Sequence, residues 1–177
     1  MTTKALGLGR NFDIGIGAIV QNFNGSGITG KNISLQNCEG EGVLVVKMAN
    51  GTTDHLAVDL QEVNGYAGTP RDLDIITEYW LKSETTLDND EAWVKTTQAA
   101  ASEIAAIAGT AQKELLLYFE VRAEQLSDGY THIALNVPDL GNTDTEYGTV
   151  IYIPYGLKVQ RAPENLPSLL RPGVANV

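Results

Sequence analysis

The side chains that usually run acid/base, nucleophilic or metal chemistry near neutral pH are scarce here: His55, His132 and a single cysteine, Cys38, in 177 residues. His55 follows an Asn50-Gly51 turn signal. His132 falls between Thr131 and Ile133, on the face opposite Ile133 and Leu135. Both read as polar strand residues, and no G-x-S-x-G elbow supplies a nucleophile for either to serve. Cys38 stands in Asn37-Cys38-Glu39-Gly40, where the neighbouring acid raises the thiol pKa and so disfavours a reactive thiolate. The run Gly15-Ile16-Gly17-Ala18-Ile19-Val20 has two glycines of a dinucleotide-binding loop, but Val20 stands where the third belongs and no strong helix follows.

Oxygen ligands gather twice, at Asp88, Asn89, Asp90 and Glu91, and at Asp139, Asn142, Asp144 and Glu146. Calcium takes about six to eight oxygens in a loop of fixed spacing. The second run puts its glycine at Gly148 rather than at Tyr147, and no bidentate glutamate sits at the required distance. Helix capping and turn solvation account for both runs. Paired carboxylates for glycoside hydrolysis lie far apart in sequence as a rule, so spacing does not test them. No catalytic residue, cofactor or metal is therefore assigned. The tyrosines, Tyr152 and Tyr155 among them, offer a second reading as a sugar-stacking platform of a carbohydrate-binding or adhesion module.

Composition narrows the class further. Lys and Arg total 12 against 22 Asp and Glu, and a net charge of −10 opposes nucleic acid and anionic membrane alike. Glycines at 7, 9, 15 and 17 break the first twenty residues, so a secretory signal is not expected there. No window approaches the roughly 18 apolar residues of a membrane span. One cysteine allows no intrachain disulfide, which leaves stability to packing or assembly. The sequons at Asn24, Asn32 and Asn50 read as turn chemistry.

The elements that position these residues are mostly strands. Residues 1–30 form a Gly-rich N-terminal arm whose Phe12, Ile14, Ile16, Ala18 and Val20 repeat with period two. Residues 31–161 form a β-rich body. Within it, Val43 to Leu60 reads as a hairpin about Asn50-Gly51, and Ile75 to Lys82 as a strand. Lys113 to Ala123 and Thr131 to Val137 read as a second hairpin about Ser127-Asp128-Gly129. Thr149 to Ile153 is a last strand, continued beyond Pro154 as Gly156 to Gln160. A helix is expected from about 89 to 108, capped near Asp88 and stopped by Gly109, with Trp93, Val94, Ala100, Ala101, Ile104, Ala105 and Ile107 as its apolar stripe. Residues 162–177 are a tail in which Pro163, Pro167 and Pro172 punctuate Leu166, Leu169 and Leu170. The expected fold is mainly β: an antiparallel sandwich or barrel-like domain with one inserted helix and extended arms.

This layout, with Leu6 to Val20 at one end and Tyr152-Ile153-Pro154-Tyr155-Gly156 with Pro163 to Pro172 at the other, resembles the decoration or cement proteins on tailed-bacteriophage heads. The resemblance is one of organisation and carries over no family residue position by position. It implies a non-enzymatic virion protein, made in the host cytoplasm, that binds the major capsid protein or other virion subunits as a small homo-oligomer, a trimer. The residues it would use are Leu6, Leu8, Phe12, Ile14 and Ile16 from one arm, and Tyr152, Tyr155, Leu166, Leu169 and Leu170 from the other end.

Overall fold

A computed structural model describes residues 11–23, 27–49, 55–108, 114–139 and 145–158. The residues described carry strands β1 (Gly15–Asn22), β2 (Ile33–Ser34), β3 (Gly40–Ala49), β4 (His55–Val63), β5 (Pro70–Asp72) and β6 (Ile76–Glu84). These are followed by β7 (Val94–Ala101), β8 (Glu103–Ala108), β9 (Glu114–Arg122), β10 (His132–Asn136) and β11 (Glu146–Tyr155), with one 3₁₀ turn at Ala123–Gln125. Among the described residues the strands make two antiparallel sheets and no closed barrel. One runs β1-β11-β3-β9-β6-β7; the other runs β2-β10-β4-β5, with β8 also paired to β4.

Alternation explains the pairing of the two sheets. In β3 and β9 the odd positions Val43, Val45, Leu117 and Phe119 are fully buried, and in β11 the even positions Val150 and Tyr152 join them. Leu56, Val58, Leu60, Ile133 and Leu135 meet them from the second sheet. A Leu→Ala change in such a core costs about 2–5 kcal/mol, so this layer holds the fold. Tyr152 also ties the sheets together: its hydroxyl accepts a hydrogen bond from Leu135 N at 2.9 Å and donates to Lys31 O at 3.1 Å. Gly17 lies against the Tyr152 ring, where a Cβ would collide.

Three expectations are corrected. The helix over 89–108 is absent, and β7 and β8 stand in its place. Thr96 and Thr97 favour extended backbone, Asn89 holds a left-handed φ of 81°, and Val94, Lys95, Thr96 and Thr97 pair with Leu81, Trp80, Tyr79 and Glu78. Gln98 fills a register shift by donating to Ile76 O and Glu103 O, and Ile104 enters the core opposite Val58. Helix propensity is a weak prior, and a partner strand with open ladder groups overrides it.

Neither expected hairpin is one, since β3 and β9 belong to the six-stranded sheet while β4 and β10 belong to the other. Alternation marks one buried face, and an arch between sheets satisfies it as well as a hairpin does. The last strand begins earlier than expected, at Glu146, and ends at Tyr155. Gly156, at φ 61°, turns the chain away. At the other end, β1 is a strand of the body's own sheet, joined to β11 through two register shifts. The tail 162–177 lies outside the described residues.

Candidate functional site

One end of the sandwich brings together the first and last described residues. Phe12 bridges Tyr155, Asp13 N donates to Pro154 O at 2.9 Å, and Gly156 N donates to Asn11 O at 3.2 Å. Lys158 is tied to the same end, its amide to Asn37 O and its Nζ to Gln36 O. The described chain thus enters at Asn11 and leaves at Lys158 side by side.

Beside that point opens a cleft of about 600 Å³ lined by Cys38, Glu39, Glu120, Arg122, Tyr155 and Lys158, among others. The starts of β3 and the ends of β9 and β11 place these groups, because the three strands are neighbours in one ladder. Burial pushes the Cys38 thiol up to about 12, the Glu41 carboxyl adds to it and Lys158 opposes it, so the sulfur stays protonated. Tyr155 is likewise raised, first by burial and then by Glu120. The cleft therefore offers charges of both signs and an aromatic ring.

Behind the cleft, Glu41 is fully buried on the inward face of β3, and neither carboxyl oxygen makes a hydrogen bond. Burial lifts its pKa to about 9, and Asp13 adds to it. It is a neutral carboxylic acid at pH 7. Glu62 makes the opposite case. Burial alone would raise it, but hydrogen bonds from Ser127 and Arg71 outweigh that and hold it below its ordinary value. Arg71 reaches it through Nε at 2.7 Å and stacks over Tyr130.

Among the described side chains, His132 joins no catalytic group. His132 is buried, its Nδ1 lies 2.8 Å from Thr131 Oγ1, its Nε2 has no partner, and burial lowers its pKa. Ser34 stands opposite it in the ladder, yet the Ser34 hydroxyl accepts from Gln36 N. His55 begins β4.

At the opposite end of the six-stranded sheet, carboxylate oxygens of Glu84, Asp88, Asp90 and Glu91 lie within 4.8 Å of one another, and this is where a cation would fit. Much of the arrangement is a turn. Glu91 accepts from Asp88 N and Asn89 N, while Asp90 is raised by the hydrogen bond and charge of Asp88. Asn142 and Asp144 lie outside the described residues, and Glu146 is buried.

Of the expected interface residues, Leu6, Leu8, Leu166, Leu169 and Leu170 lie outside the described residues. Phe12 is half-buried against Tyr155, Ile14 just before β1 and Ile16 within it are exposed, and Tyr155 lines the cleft. Tyr152 faces the core instead, fully buried. Sequence reasoning missed Glu41, Arg122 and Glu120. Only the shared parity of Glu41 with Val43 and Val45 points to its burial.

No family model matches this sequence, and no curated protein matches it. Among solved structures, the chain is similar to the SPBc2 prophage-derived protein YomS, with 12% identity over 81% of this chain and 93% of that one, at a TM-score of 0.34.

Proposed function

We propose that this chain is a non-enzymatic structural protein of a tailed-bacteriophage virion. It binds the capsid surface through its two end segments, and it assembles as a small homo-oligomer. The observation that carries the reading is that the first and last described residues meet at one pole, with Gly156 N donating to Asn11 O. Segments that start together reach one partner surface together, so each raises the effective concentration of the other. Leu6 and Leu8 on one side, and Leu166, Leu169 and Leu170 on the other, supply apolar anchors for grooves or sheet edges on capsid subunits. The titratable groups near the pole favour holding over reacting: Cys38 and Glu41 are protonated and buried. A net charge of −10 turns the partner choice away from nucleic acid and membrane.

Deleting 1–10, 159–177 or both tests this. The body is expected to keep its circular dichroism and unfolding midpoint while losing the ability to join capsids. Unchanged incorporation of the double deletion defeats the proposal. A second reading, a carbohydrate-binding module, has one observation in its favour: Tyr155 lines the cleft beside Glu39, Glu120 and Arg122. Glycan binding by the isolated protein, lost in Tyr155→Ala, would favour it.

A further inference from the structure

Antiparallel sheets with one wet face alternate apolar residues inward with polar residues outward. The six-stranded sheet departs from that pattern. On the side away from the core, Ile16, Ile151, Leu44, Tyr118, Trp80 and Lys95 stand side by side in register across all six strands. The next row continues it, with Thr149 beside Val46 and Val46 beside Leu116. Beyond that, Tyr147 pairs with Met48, and each is 56% exposed. Among the described residues no strand packs on this face; the segment before β7 crosses its β6 and β9 side, where Leu87 N donates to Glu114 and Trp93 lies beside Tyr118, with ring centroids 6.4 Å apart, and under Lys82 Nζ.

We propose that this face pairs with the same face of a second copy of the chain, which rests on the homo-oligomer reading above and deepens it. Size is the first argument. Six strands spaced roughly 4.8 Å apart and about nine residues long at ~3.3 Å each make a face of roughly 850 Å², close to the ~800 Å² per partner of a standard stable interface.

Charge is the second. The half of the face built from β1, β11 and β3 carries no charged side chain, while Glu78, Glu84, Glu114 and Glu120 stand with Lys82, Lys95 and Arg122 on the other half. A two-fold axis along the strands lays the uncharged half of each copy over the charged half of its partner, so glutamate does not meet glutamate. Tyr118, Trp80 and Tyr147 also supply the aromatic content that marks interface cores.

The test is the mass of the full chain in solution by light scattering across a dilution series. Wild type is expected at twice the 19.0 kDa chain mass. Ile16→Glu with Met48→Glu, both at exposed positions, is expected to keep the circular dichroism spectrum and weaken pairing by roughly 100-fold or more. Should that double variant fail to fold, Tyr147→Lys carries the same test on one exposed side chain. A monomer at every concentration overturns both this face and the homo-oligomer reading. A trimer, or a mass indifferent to these substitutions, keeps the homo-oligomer and overturns the face pairing. Loss of association only on deleting 1–10 does the same, assigning self-contact to the end segment.

Discussion

Replacing Glu41 by glutamine isolates the energetic cost of one buried acid. The side chain is fully buried on β3, with Val121 and Pro154 as its cross-strand neighbours and no hydrogen bond to either oxygen. Burial raises its pKa from 4.5 to about 9. The folded chain therefore binds this proton more tightly than the unfolded chain does. The associated stability is fully present below pH 4.5, declines as pH rises, and is gone above about 9. The slope in that window is about 1.4 kcal/mol per pH unit, so by pH 7 about 3 kcal/mol has been lost. Glutamine keeps the volume and the polarity but has no proton to lose. Urea unfolding of wild type and Glu41→Gln at pH 5, 7 and 8.5 measures the difference, with other titrating groups common to both. The two are expected to be close at pH 5 and to separate by about 3 kcal/mol in favour of the variant at pH 7, with an unchanged m-value. Parallel pH profiles, or a variant less stable than wild type at pH 7, would refute the reasoning.

Three further outcomes follow from the same geometry. Tyr152→Phe removes the hydroxyl that serves both Leu135 N and Lys31 O, and leaves a buried amide unpaired; a loss of about 2 kcal/mol is expected in urea unfolding, against less than about 0.5 kcal/mol for the exposed control Tyr147→Phe. Cys38, buried and with its thiol held up near 12, should react with an aromatic disulfide reagent in denaturant and resist it in buffer at pH 8, so equal rates in both would contradict its placement. Asp90→Asn removes one of four crowded carboxylates in the loop before β7, and its unfolding midpoint should rise above wild type at pH 7 in low salt, with the gain shrinking as salt is added; no gain in low salt would speak against mutual repulsion there.

How far these features could be read from sequence depended on burial. Strands with one dry face declared themselves: the buried Leu115, Leu117, Phe119 and Val121 of β9 alternate with more accessible neighbours, as do Val43 and Val45 of β3. Their partners did not, since an inward-facing stripe is the same whether the chain folds back within a sheet or crosses to the next. β7 was the least legible element. It is an edge strand with exposed Val94, Thr97, Ala99 and Ala100, so no burial pattern competed with the helical spacing of its alanines. Of the candidate site, Tyr155 and the exposed Ile14 and Ile16 were visible, while the cleft's Glu120 and Arg122 depend on a neighbour in the ladder that spacing does not reveal.

Tyr152 shows the physical source of the remaining error. In β11 the even positions Val150 and Tyr152 face the core, but the odd positions Ile151, Ile153 and Tyr147 are also apolar. When both faces of a strand are hydrophobic, parity carries no information about which one is inside. A residue equally suited to core and surface was therefore assigned to the surface. The ambiguity and the self-pairing face have one origin, because a sheet that must meet the interior on one side and another copy on the other needs apolar residues at both parities. If the outer face is a solvent face after all, replacing Ile151 and Leu44 by threonine should leave mass and stability within about 0.5 kcal/mol of wild type. If it is an interface, the same pair should dissociate the dimer while the monomer, its inward Val43, Val150 and Tyr152 untouched, stays folded.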